Sequence, residues 1–146
     1  MTGRAAARVA AAVLLLAACG GGGSHDALSD SCVEHINSLR AFVGLGPLGR
    51  WSDGESCADS EAESDSETGR AHGAFGRCQE SAQNECPGWR SMTGPHGIVP
   101  GCLDMMWSEG SGGGHYDNMT RSSYTKVACG FHQTSSGEIW AVQNYR

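Results

Sequence analysis

Seven cysteines in 146 residues constrain this chain more than any other feature. The first, Cys19, follows the leader MTGRAAARVAAAVLLLAA, in which Arg4 and Arg8 precede an apolar run from Val9 to Ala18. That run is far short of the ~20 residues a helix needs to cross a bilayer. Basic residues ahead of a short apolar run mark a signal peptide. Leu16-Ala17-Ala18-Cys19-Gly20 has the form of a bacterial lipobox, so residues 1–18 are expected to be removed and Cys19 to be lipidated. Residues 19–27, rich in glycine, read as a flexible tether between that anchor and a folded domain at 28–146. Cys32, Cys57, Cys78, Cys86, Cys102 and Cys129 then form an even set in an exported domain. Such a set implies three disulfides, in one of fifteen connectivities. Cys78–Cys86, across a short loop, is the first pairing expected. No C-x-x-C spacing occurs, which argues against a zinc ribbon.

Charge narrows the partners. Without Arg4 and Arg8 the chain holds 8 basic and 16 acidic residues, so the mature net charge is 8 − 16 = −8. Nucleic-acid binding rests on basic surface and is excluded as a reading. The domain is of ordinary size but poor in large aliphatics, so disulfides at ~2–4 kcal/mol each are expected to supply much of its stability.

Leu28, Cys32, Ile36, Leu39 and Val43 recur at helical spacing, with Gly44 as the stop. A second helix is expected from Ser52, capped by a Ser52/Glu55 box, to Thr68, with Gly69 ending it. Glu55, Asp59, Glu63 and Glu67 form one like-charged column on that helix, with Asp53, Glu61 and Asp65 nearby. It reads as a solvated acidic face, with a cation-attracting face as the alternative, while Cys57, Ala58 and Ala62 form a small-residue inner side. Residues 70–101 read as loop with short elements, and a third helix is expected from Pro100 or Gly101 to Glu109. YTKVACGFH and GEIWAVQNY form a hairpin apolar on both faces. Helices must therefore cover both sides. The expected fold is α+β, a three-layer α-β-α sandwich with a small antiparallel sheet, stabilised by disulfides.

GHYDNMTRSSYTKVACG, residues 114–130, resembles the signature of the CAP superfamily of cysteine-rich secretory, antigen 5 and pathogenesis-related proteins. Asn118, Tyr124 and Thr125 stand where that pattern asks. INSLRAFVGLGPL with Trp51 is similar to the family's first helix and its exit, MWSE to its Trp-Tyr-Ser-Glu segment, and EIWAVQNY to its last strand. The resemblance covers residues 28–146. It implies a cleft tetrad of His72, Glu80, Glu109 and His115. In CQES, the glycine and asparagine that flank the family's acid are replaced by Gln79 and Ser81, and Glu85 in NEC is a rival for Glu80.

Two neutral imidazoles suit a divalent ion such as zinc, and neighbouring carboxylates can orient their rings. With two protein ligands the ion would be weakly bound and open to water. His25, His35, His96 and His132 read as surface or hydrogen-bonded residues. No G-x-S-x-G elbow is present, and GSGGG lacks the Gly-Lys-Ser/Thr of a phosphate loop. Instead those glycines read as a permissive turn that returns His115 toward Glu109 and leaves the cleft open to solvent. The leading reading is a lipid-anchored envelope protein acting as a binding module, for which the resemblance implies a lipid, a sterol-like or another small ligand. A metal-assisted envelope peptidase, with Glu109 or Glu80 as base, is the alternative. A structural scaffold with an idle tetrad is the third.

Overall fold

The computed structural model describes residues 23–90 and 95–146. The leader and Cys19 therefore lie outside the described residues. Helix α1 spans Gly23–Phe42, so the last part of the expected tether is helical here. Asp26, in its first turn, accepts from Arg50 Nη2 at 2.5 Å, which ties that turn to the body. Along α1 the buried side chains Leu28, Cys32, Val33, Ile36 and Arg40 follow the helical stripe.

A two-residue strand β1, Gly49–Arg50, leads into α2, Ser52–Thr68. The capping box does not form: Trp51 occupies the cap position without a side-chain cap bond. Glu55 is drawn instead to the Arg50 guanidinium, at 2.7 Å from Nε. Gly69 ends the helix in the left-handed conformation, φ 63°, that glycine adopts without cost. Within the region read as loop lies an eight-residue strand, β2, Ala82–Trp89. Helix α3 spans Pro95–Trp107, with Pro100 inside it and not at its start. Helix α4, Gly114–Thr120, was not expected, and β3, Lys126–Gln133, and β4, Ile139–Tyr145, form the hairpin.

The sheet has the order β1-β3-β4-β2. The three long strands are antiparallel, but β1 runs parallel to β3, so the sheet is mixed and not purely antiparallel. Helix α2 alone covers one face, where Ala58 and Ala62 meet Ala128, Trp140 and Val142. The other face carries the main core, built from α1, α3, α4 and the sheet around Ile36, Leu103, Met106, Met119 and Tyr145. This is the expected α-β-α sandwich. Arg40, 3% exposed, donates to the carbonyls of Gly46, Met119 and Arg121, so a buried guanidinium fastens the end of α1 to the end of α4.

The disulfides are Cys32–Cys129, Cys57–Cys78 and Cys86–Cys102. The expected Cys78–Cys86 pair is wrong for a geometric reason. Cys78 precedes β2 and bonds under α2, whereas Cys86 projects from β2 into the main core, where α3 supplies Cys102. Disulfides of this kind persist in an oxidising compartment. No helix among the described residues is long and apolar enough to cross a membrane.

Helix α2 approaches the sheet so closely that an added Cβ at Gly130 would collide with the Ala58 carbonyl carbon and the Asp59 nitrogen, well inside van der Waals contact. Backbone cannot yield as a side chain can. Gly130→Ala should destabilise the fold by about 1–3 kcal/mol or more through overpacking. Urea unfolding would check this, with Gly46→Ala, where no neighbour lies within 4 Å, as the control expected to change little.

Candidate functional site

Strand β2 is a free edge, and the two sequence-predicted histidines reach it from opposite faces. His72 follows α2 on the side that α2 covers, in the left-handed backbone region at φ 58°, which non-glycine residues seldom adopt. Its N–H donates to Glu85 Oε2 at 2.5 Å, and its Nδ1 lies 2.8 Å from Gln83 Oε1. Glu85 and Gln83 stand two apart on β2, so both project to the α2 side.

His115 arrives on α4 from the main-core side. Two glycines in GSGGG, Gly110 and Gly112, have φ of 69° and 92°. Glu109 folds back over Gly113, where an added Cβ would collide with the Glu109 Cβ. One Glu109 oxygen takes His115 Nδ1 at 2.6 Å and the other the His115 N–H at 3.1 Å, which also caps α4. This hydrogen bond from His115 holds the Glu109 carboxyl below the usual carboxylate range. Asn84, on the core side of β2, donates to the His115 carbonyl at 3.0 Å and accepts from Asn118. The signature asparagine thereby fixes α4 against the strand.

The two imidazoles lie stacked with centroids 6.3 Å apart and planes at 27°. Each Nδ1 faces an oxygen acceptor, so in the neutral ring Nδ1 carries the proton and Nε2 the lone pair. His72 and His115 side chains are 42% and 32% exposed, so the cleft is open. Beside it an open pocket of about 340 Å³ is lined by His72, Phe75, Ser81, Ala82, Gln83 and Asn118.

Three of the four expected tetrad residues come together: His72, His115 and Glu109. Glu80 does not join them, because its Oε1 accepts the Gly76 N–H and its side chain faces Glu61. Glu85 has the place beside His72. Glu80 and Glu85, together with Glu61 and Asp65 of α2, are buried at 8%, 3%, 1% and 1% exposure. Sequence reasoning placed Glu61 and Asp65 near a solvated face, since carboxylates are almost never fully buried. The available signal was their i, i+4 spacing on the same side as Ala58 and Ala62.

The described residues contain one compact group of three side chains of metal-ligand type, Glu61, Cys78 and Glu80, with atoms within 4.8 Å of one another. Cys78 is spent in a disulfide, so that group offers no thiolate.

The family model of the cysteine-rich secretory protein family, CAP, matches residues 33–145. The chain belongs to this family. Among solved structures it is similar to an outer surface protein from Borrelia burgdorferi, at 16% identity and TM-score 0.58, covering 78% of this chain and 88% of that one. It is also similar to Na-ASP-1, at 14% identity and TM-score 0.58, covering 82% of this chain and 38% of that one. Hookworm platelet inhibitor matches at 15% identity and TM-score 0.53, with 83% and 69% covered. At these identities the likeness is one of fold. Comparison with curated proteins gave no match.

Burial, against a smaller opposing effect of the His72 N–H, pushes the Glu85 carboxyl up to about 7 from an ordinary 4.5. A raised acid favours folding while protonated, and that contribution is lost as pH rises through the folded value. Without added metal, unfolding free energy should fall between pH 4.5 and about 7. Denaturant melts across that window would check this, and Glu85→Gln should flatten the slope.

Proposed function

We propose that this CAP-domain protein is an exported, envelope-anchored binding module that holds a divalent ion such as zinc between His72 and His115. The ligand pocket is the adjoining open one, of about 340 Å³. The observation that carries this reading is the pair of Nδ1 atoms held at 2.8 Å by Gln83 and 2.6 Å by Glu109. Second-sphere acceptors of this kind fix the tautomer and aim Nε2 at a metal. The donor set fits zinc or a similar ion, with two imidazoles and, among the described residues, no third side chain grouped with them. A bound ion would supply an open, exchangeable Lewis-acid position. Phe75 and Ala82 give the pocket an apolar side, and Gln83 and Asn118 a polar one, which suits a small lipid or another amphipathic ligand. Attachment to the envelope through lipid on Cys19 rests on the leader sequence, and the fold it shares with a spirochaete outer surface protein supports an exposed location.

A metal-assisted peptidase would need a carboxylate free to take a proton from water. Both Glu109 oxygens already accept hydrogen bonds within the loop, and Glu80 is turned away under α2. Binding is therefore the better-supported function.

Calorimetric zinc titration of the metal-free protein should show one weak site. His72→Ala and His115→Ala should each weaken it at least tenfold (~1.4 kcal/mol), and Glu109→Ala by about 10–100-fold through loss of ring orientation. Unaltered zinc affinity in both histidine variants would remove the site. Zinc-dependent peptide or ester turnover that disappears in a folded His115→Ala protein would replace binding by hydrolysis.

A further inference from the structure

The two imidazoles of the cleft are held by partners of different kinds. His115 Nδ1 meets a carboxylate, Glu109, which can only accept when ionised. His72 Nδ1 meets the side-chain amide of Gln83 at 2.8 Å, and an amide is ambiguous. It presents an acceptor, Oε1, or after a half-turn a donor, Nε2. In the first orientation His72 carries its proton on Nδ1 and offers Nε2 to a metal. In the second Nδ1 must accept, and the proton belongs on Nε2. Glu85 does not decide the matter, since it lies 3.8 Å from Nδ1 and its Oε2 already takes the His72 N–H.

Behind Gln83 the polarity is fixed. Asn144 stands opposite it on β4, and Glu61 comes down on both from α2. Gln83 Nε2 donates to Glu61 Oε2 at 3.1 Å and to Asn144 Oδ1 at 3.2 Å, and Asn144 Nδ2 donates to the same Glu61 oxygen at 2.6 Å. All three residues are buried, so bulk water does not compete for these bonds. The two amides by themselves could reverse together and keep their mutual hydrogen bond, with Asn144 Nδ2 donating to Gln83 Oε1 and Gln83 Nε2 turned to His72. Glu61 forbids that arrangement. The reversed pair would set two carbonyl oxygens against Oε2, and even a protonated Oε2 has one hydrogen for two acceptors.

We propose that Glu61 is a positioning residue of the cleft: acting through the Gln83 amide, it sets His72 in the Nδ1-protonated form that leaves Nε2 free for a metal. Glu61 touches neither histidine and no ligand. Its part is to supply the acceptor that neither amide can supply without the other, and so to give the chain from Asn144 through Gln83 to His72 a single direction. This role rests on the His72–His115 metal reading proposed above, but the tautomer it sets exists without metal and is read without it.

The test uses the full chain with its disulfides intact. Glu61→Met removes the acceptor at similar side-chain length, and Glu61→Leu serves if that variant does not fold. Nitrogen-15 correlation of the metal-free protein should show His72 Nδ1-protonated in the wild type and mainly Nε2-protonated in Glu61→Met, with His115 Nδ1-protonated in both. Glu61→Gln, whose carbonyl oxygen can stand where Oε2 stands, should keep the wild-type form. Zinc affinity should fall about tenfold in Glu61→Met, the low end of what an outer-sphere partner is worth, and hold in Glu61→Gln. Added to Gln83→Met, the Glu61→Met change should alter neither readout further. An unchanged His72 tautomer in the folded apolar variant, equal loss in Glu61→Gln, or a further change in the double variant would overturn the proposal. A wild-type protein that binds no zinc, while the tautomer still converts in Glu61→Met, would remove the zinc reading and leave the role of Glu61 standing.

Discussion

The close approach of α2 to β3 governs the rest of this molecule. At Gly130 the helix backbone lies where any side chain would stand, and Ala58, Ala62 and Ala128 keep the contact shallow along its length. Phe131 adds a hydrogen bond from its N–H to Asp59 at 2.7 Å. With the helix this near, the side chains one and two turns further along, Glu61 and Asp65, have no route to water. The chain then leaves α2 at Gly69 directly over the edge strand, and His72 arrives beside β2. A helix set further off by larger residues would relieve the acids and move the histidine away from its partner.

Two disulfides secure helices to the sheet, and the third ties α2 to the segment that follows it. Cys32–Cys129 joins α1 to β3, Cys86–Cys102 joins β2 to α3, and Cys57–Cys78 joins α2 to the segment that carries His72 and Glu80. The α2 side has only a small apolar cluster. A covalent link across a 21-residue separation there restrains the unfolded chain where burial contributes least. On the opposite side, beside its two disulfides, α4 is held by polar groups: Arg40 holds its end, and Asn84 with Asn118 holds it to the edge strand.

Much of this was legible in the sequence, and the parts that were not share a cause. Helices α1 and α2 and the final hairpin announce themselves because their periodicity is built from apolar or small residues. Strand β2 does not, because its buried residues include Gln83, Asn84 and Glu85, which have no apolar period to betray them. Helix α4 was hidden by the glycine run that leads into it, and by a cap that comes from Glu109, outside the helix, where a local cap would be sought. The motif resemblance brought His72, His115 and Glu109 to one place in advance. It named Glu80, with Glu85 as its rival, where the structure puts Glu85: Glu85 projects from β2 to the His72 N–H, whereas Glu80, just before the strand, turns to the Gly76 N–H.

The cleft is built on two imidazoles whose Nδ1 atoms are both committed to acceptors within the protein. Nitrogen-15 correlation of the histidine side chains, recorded above the ordinary imidazole pKa of about 6.5, reads this directly. His72 and His115 should both appear as the Nδ1-protonated tautomer, the minority form in water, and zinc should shift the Nε2 resonances of both together. Nε2-protonated rings, or zinc shifts confined to one histidine, would contradict it.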